Sequence, residues 1–226
     1  MKQKPKHSHS GIFTRETEHQ AKGIKKFLFR YYTMYEQILK YIKGNEKIFD
    51  FGCGICEPFD RLKNDYPNNS FILQGYDIDE ECLKIAGKKG YKVFNDLKNI
   101  EKDYDIVTLF GVIEHLTREE AIECFEMASR ILKKDGILMI GTLNPNELFN
   151  AIAIWNEAEH IKPYSIKALT KLGKINGFKV DKIYKQALRI NPFKFLIDLL
   201  TADIYCGFTI ILKKDEKSSL TLPINK

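Results

Sequence analysis

Short apolar runs that alternate with helical patterns constrain this chain more than any other feature. The β-type runs fall at 47–51, 71–76, 91–94, 104–110, 136–142 and 178–184, and helical patterns fit 57–66, 79–88, 117–132 and 165–175. The runs are close to continuously apolar, as in YDIVTLF at 104–110, so each strand has to be covered on both faces. Alternation with crossover helices then predicts an α/β fold, a doubly wound and mostly parallel sheet with helices on both sides. A last run at about 205–213 follows an apolar excursion at 186–204 (QALRINPFKFLIDLLTADI), and a chain returning that way is expected to lay its final strand antiparallel at the edge.

Ahead of the sheet, Ile24, Phe27, Leu28, Tyr31, Tyr35, Ile38, Leu39 and Ile42 recur at three- and four-residue spacing, which predicts an amphipathic helix over about 17–42. Residues 1–15 read as a flexible basic tail, 16–214 as one domain and 215–226 as a polar tail; 226 residues with 44% hydrophobic content suit a single core. No apolar run approaches the roughly 20 residues of a membrane span, and the N-terminus has no apolar signal core. Five scattered cysteines suit reduced thiols, so a cytoplasmic location is expected. Charge is uneven: residues 1–47 carry 11 Lys/Arg against 4 Asp/Glu, whereas the remainder carries 25 against 26. Such a basic arm suits phosphates, an anionic membrane surface or an acidic substrate, or is simply a solvated helix face.

The first strand, KIFDF, runs into Gly52-Cys53-Gly54, and a helix starts near Glu57-Pro58. Glycines let the backbone turn sharply and approach a ligand, and proline suits the first helical turn. In an open α/β sheet ligands bind where strand order reverses, at the carboxyl ends of the strands. The second strand ends in Gly75-Tyr76-Asp77, and an acid placed like Asp77 accepts hydrogen bonds from the two hydroxyls of a ribose. Nicotinamide and adenosylmethionine cofactors share that ribose. Asp50 chooses between them, because a carboxylate at the strand tip repels a pyrophosphate but favours the ammonium and sulfonium of S-adenosyl-L-methionine. The third glycine of the dinucleotide fingerprint is also missing, since Glu57 holds its place. At the third strand's end, Asn95-Asp96-Leu97 offers a carboxylate for an adenine amino group and a following N–H for a ring nitrogen. Cys53, Ile78 and Phe110 complete the candidate cofactor-binding set of Asp50, Gly52, Cys53, Gly54, Asp77, Ile78, Asp96, Leu97 and Phe110.

These segments together resemble the class I S-adenosylmethionine-dependent methyltransferases. The residues that carry the likeness are DFGCG (50–54), GYDID (75–79), ND (95–96), YDIVTLFGVIEHL (104–116), ILKKDGIL (131–138) and TLNP (142–145), in order over roughly 40–185. It extends to HIKPYSIKALTKLGKINGFKV (160–180), similar to the stretch after the fifth strand of many small-molecule members. The resemblance implies a seven-stranded sheet with the last strand antiparallel, and a cofactor lined by Asp50, Gly52, Gly54, Asp77 and Asp96. The family usually has glycine where Cys56 stands. VIEHL is similar to the ubiquinone-pathway O-methyltransferases and to small-RNA terminal 2′-O-methyltransferases, where an acid three residues before the Glu helps hold a metal. Here that position is Gly111, and no metal is assigned.

Glu114, His115 and His160 are the candidate catalytic residues. Both histidines follow sheet strands on the ligand side, and an imidazole can take the proton of an oxygen nucleophile near neutral pH. The plainer alternatives are helix-start histidines bonded to backbone and a Glu114 favoured by a helix dipole; Tyr164 either shapes the acceptor pocket or packs. Cys53 and Cys56 have CxxC spacing, but no second pair exists for zinc, so they read as two cysteines of the loop. The expected activity is O-methylation of a small molecule of quinone-precursor, lipid or sugar type, with the N-terminal helix and the 186–204 insertion capping the acceptor. An RNA acceptor gripped by the basic arm is the second reading, disfavoured by the neutral remainder of the chain. A cofactor-binding protein without transfer is the third, and a dehydrogenase the fourth. Oligomeric state is left open.

Overall fold

The computed structural model describes residues 37–146, 160–186 and 207–215. The 1–15 tail, the 17–42 helix up to residue 36, the insertion beyond Gln186, and the C-terminal tail beyond Asp215 lie outside them. Residues 37–39 are helical, and the buried Ile38 packs on the sheet with Ile48 and Ile211.

Along the chain come β1 (Lys47–Phe51), α1 (Glu57–Asp65), β2 (Ile72–Tyr76), α2 (Glu80–Lys88), β3 (Lys92–Phe94), β4 (Tyr104–Phe110), α3 (Arg118–Ile131), β5 (Leu132–Leu143), α4 (Ile166–Ile175), β6 (Phe178–Gln186) and β7 (Gly207–Lys214). Their sheet order is β3-β2-β1-β4-β5-β7-β6. β1 pairs in parallel with β2 and with β4, so the order reverses between β1 and β4. That reversal opens a crevice at the carboxyl ends of these strands.

Successive residues of each strand enter opposite cores. Phe49, Val107, Leu138 and Ile210 pack with Phe125, Leu169 and Phe178 from α3, α4 and β6, whereas Ile48, Ile106, Met139 and Ile211 pack with Phe59, Leu62 and Ala86 from α1 and α2. Two-sided burial is why the strands read as unbroken apolar runs.

β7 is antiparallel, as expected, but it is not at the edge. It lies between β5 and β6 and pairs with both. Its residues Gly207–Leu212 are buried throughout, so it needs cover on every side, whereas β6 carries the exposed Lys179, Asp181, Lys182 and Lys185 that suit a sheet edge. β5 also starts earlier than its apolar run. Tyr104 pairs with Leu132 and Ile106 with Ile137, so the Lys134-Asp135-Gly136 turn is absorbed as a bulge with Asp135 at φ 62°. No helix among the described residues is long and apolar enough to cross a membrane.

Candidate active site

The loop after β1 folds down onto the end of β2. The amides of Gly52 and Cys53 donate to the Tyr76 carbonyl at 2.7 and 3.1 Å, and the Gly54 amide donates to Asp77 Oδ2 at 2.7 Å. Asp77 Oδ1 accepts from the Asp79 amide at 2.9 Å, and Asp79 in turn caps α2 by accepting from the amides of Glu81 and Cys82. Asp77 therefore sets the loop's conformation as well as presenting a carboxylate at the strand end. Gly52 sits at φ 70°, and a Cβ there would lie 2.4 Å from Val112 Cγ2, two residues beyond the end of β4. Gly54 faces open space.

Asp50 and Thr108 are register partners on β1 and β4. Thr108 Oγ1 donates to Asp50 Oδ1 at 2.6 Å, with both residues buried. Burial pushes the Asp50 carboxyl up to about 7; the Thr108 hydrogen bond opposes that rise and the charge of Asp77 adds to it. Cys53 is buried beside them, and its thiol is pushed far up by a hydrogen bond with Cys56 and by burial. A buried thiol held neutral is a poor nucleophile, and both cysteines are free.

The other candidate cofactor residues follow the same rim. Ile78 is 72% exposed beside Asp77. Asp96 is exposed after β3 and accepts from the Lys98 amide at 3.0 Å, capping a 3-10 turn, Leu97–Asn99, whose Leu97 is half-buried. Phe110, half-buried, ends β4.

A second cluster lies beyond β4. The chain passes Gly111 into a 3-10 turn, Ile113–His115, and α3 begins only after Thr117, which forms a reciprocal cap with Glu120. Glu114 is therefore not a first-turn acid of α3. It is buried, and its Oε2 accepts from Thr142 Oγ1 of β5 at 3.0 Å. Its carbonyl accepts from the amides of Ile161 and Lys162 at 3.0 and 3.1 Å. Those bonds draw the segment before α4 alongside the turn and lay the His160 ring against His115, with centroids 4.8 Å apart. Glu114, His115 and His160 each offer a ligand atom within 4.8 Å of the others. One carboxylate oxygen and two imidazole nitrogens make a donor set for a divalent cation. The third donor comes from His160, a partner that the residues around Gly111 could not disclose. Tyr164 is buried, and its hydroxyl donates to the carbonyls of Leu116 and Thr117, so it ties this segment down.

Residues 23–183 match the family model described as a methyltransferase domain. The chain belongs to that family. Its sheet is that of the class I S-adenosylmethionine-dependent methyltransferases, and S-adenosyl-L-methionine is the cofactor of the class. A SAM-dependent methyltransferase of Archaeoglobus fulgidus is 22% identical, with a TM-score of 0.68 over 90% of this chain and 99% of that one. Magnesium protoporphyrin IX methyltransferase from Synechocystis PCC 6803, solved with bound SAH, is 16% identical with a TM-score of 0.65 over 92% and 95%. A cyclopropane synthase of Mycobacterium tuberculosis is 14% identical with a TM-score of 0.60 over 81% and 84%. At these identities the likeness is one of fold. No curated protein sequence matches the chain significantly.

Three residues of this methyltransferase have structural roles that the sequence motifs containing them do not assign. Thr108 interrupts the apolar run that fills the centre of β4, a visible signal of a polar partner inside the sheet. Thr142 gives no such signal, because it ends its strand beside a loop. Gly75 is required by closeness: a Cβ there would sit 2.5 Å from the Cys53 Cβ, so a side chain would lift the loop from β2.

Proposed function

We propose that the enzyme O-methylates a small molecule, with the acceptor hydroxyl seated against Glu114, His115 and His160. The observation that carries this reading is the cluster itself: two imidazoles and a buried carboxylate beyond the strand end that bears Phe110. In this reading Asp77 takes the ribose hydroxyls, Asp96 and the Leu97 amide take the adenine, and Ile78 and Phe110 supply apolar contact. Asp50 faces the ammonium end of the cofactor, and the loop at Gly52-Cys53-Gly54 lies along it.

The bound cofactor supplies a methyl carbon already activated by sulfonium. The protein's work is then orientation and one proton. His115 or His160 accepts the acceptor's hydroxyl proton as the oxygen attacks, and Glu114, held by Thr142, orients the pair. A porphyrin-modifying neighbour in the same fold is in keeping with a small-molecule acceptor. A divalent cation on the same three side chains is a second reading, favoured by their mutual approach; such an ion would polarise the acceptor oxygen. Metal analysis of the purified protein and of its His160→Ala variant separates the two.

The first test is calorimetric titration with S-adenosylmethionine, S-adenosylhomocysteine and NAD. The wild type is expected to bind both adenosyl ligands in the micromolar range, and Asp77→Ala at least about 100-fold more weakly. Unchanged binding by Asp77→Ala would remove it from the cofactor site. Turnover of a panel of catechols, quinols, sugars and RNA then sorts acceptor classes, RNA being compared with and without residues 1–15.

A further inference from the structure

We propose that Thr108 is a positioning residue for cofactor binding: its hydroxyl fixes the Asp50 carboxylate in the orientation and ionised state that meets the cofactor's ammonium. The proposal rests on the reading of Asp50 as the cofactor's counter-charge.

The two side chains project from the same face of adjacent parallel strands, as shown by their neighbours Ile48 and Ile106, two residues earlier, which are paired in register and enter the same core. Asp50 is 6% exposed and Thr108 1%, so water cannot solvate the carboxylate in the hydroxyl's place. The 2.6 Å bond to Oδ1 has the length of a hydroxyl donating to a charged oxygen. Thr108 Oγ1 also lies 3.4 Å from the Phe49 carbonyl, so the hydroxyl has an acceptor on each side and its proton a choice of direction. A carboxylate is the stronger acceptor of the two. Valine, which fills the same space, would leave Asp50 buried without that donor.

The groups that bear on Asp50 make the hydroxyl matter more. From the end of β2 comes Asp77, a like charge. From its own loop comes Cys53, whose thiol burial and Cys56 keep neutral. From β4 comes Thr108. Among these, Thr108 alone favours the ionised carboxylate, and burial and Asp77 together push its titration to about 7. With its titration at about 7, the Asp50 carboxyl is partly protonated at neutral pH, and a cationic ligand has to displace that proton. Affinity therefore rises with pH through about 7 and levels off above it, because only the ionised carboxylate offers a counter-charge.

The experiment is calorimetric titration of the full chain with S-adenosylmethionine and S-adenosylhomocysteine between about pH 5.5 and about pH 8.5, on wild type, Thr108→Val, Thr108→Ser and Asp50→Asn. Wild-type affinity is expected to fall about tenfold per pH unit below the titration point. Thr108→Val should move the onset upward by about one pH unit, which is about tenfold weaker binding at neutral pH, and Thr108→Ser should restore it. Asp50→Asn should bind weakly with a flat profile. A purely structural role for Thr108 would lower affinity equally at every pH, and that result overturns the proposal. So does an unmoved onset in Thr108→Val while Asp50→Asn is flat, which leaves Asp50's role standing. If Asp50→Asn keeps both the affinity and the slope of the wild type, the reading of Asp50 fails and the proposal with it. Circular-dichroism melting of each variant shows that it is folded, and Thr108→Ala, which also removes the hydroxyl and should shift the onset in the same direction, carries the test should valine unfold the sheet.

Discussion

The proposed cofactor rim and the Glu114–His115–His160 cluster lie at the same end of the same sheet, yet they are built in opposite ways. Each rim residue sits at or beside the junction of a strand with the turn that follows it: Asp50 in the last two residues of β1 and Gly54 just after it, Asp77 after β2, Asp96 after β3 and Phe110 at the end of β4. Its position is set by a few residues on either side. The cluster instead joins a 3-10 turn to a segment that enters from beyond β5, held through the backbone carbonyl of Glu114. Local junctions suit a part that every enzyme of the class must keep. A site sutured from distant segments can change its second half without disturbing the first, which fits an acceptor end that differs from one enzyme to the next.

If the two ends are as separable as this, changes at one should spare the other. The largest effect is expected from His115→Ala and His160→Ala, which should lower kcat by about 10²–10⁴-fold with cofactor affinity unchanged. Calorimetry beside steady-state kinetics checks both halves of that statement; loss of cofactor affinity in either variant would dissolve the separation, and near-normal turnover in both would remove them as bases. Asp50→Asn tests the rim from the stability side. Because the folded carboxyl titrates near 7, well above its ordinary value of 3.8, the folded state keeps a proton that the unfolded chain has already released. The wild type should therefore lose stability as pH climbs from about 4 through about 7, and the Asn variant, spared that loss, should be the more stable above it, by at most about 4 kcal/mol. Urea melts at both ends of that range decide it, and a variant no more stable than wild type at alkaline pH would mean that Asp50 carries no burial penalty. The smallest effect belongs to Thr142→Val. Losing one hydroxyl bond to Glu114 is expected to reduce kcat about tenfold while cofactor binding is unmoved; an unaltered kcat would show that Glu114 needs no such support.

The difference between the ends also explains what could be read early. The strand-end positions of Asp50, Asp77 and Asp96 are legible because strand-to-turn junctions repeat at intervals that periodicity alone reveals. The bonds those residues make were not: that Asp77 holds the Gly54 amide, or that Asp50 leans on Thr108, depends on which strands are neighbours. His115 and His160 were each visible as polar residues after a strand, but nothing in the intervening sequence announces that their rings touch. The edge assignment for the last strand failed for a related reason. Its apolar character on both faces was on view, yet chain order suggested an outer place, and only pairing with β5 and β6 together buries it.

By itself the amino-acid sequence determined the alternation of strands and helices, the burial of strands on two faces and the acids at the strand ends. All of these follow from local periodicity and from the few backbone shapes a turn can take. The tertiary structure alone decided the insertion of β7 between β5 and β6, the pairing of Thr108 with Asp50, and the meeting of Glu114 and His115 with His160. Those depend on contacts between segments far apart in the chain, where burial and hydrogen-bond satisfaction over the whole sheet select one arrangement among many that are locally equivalent.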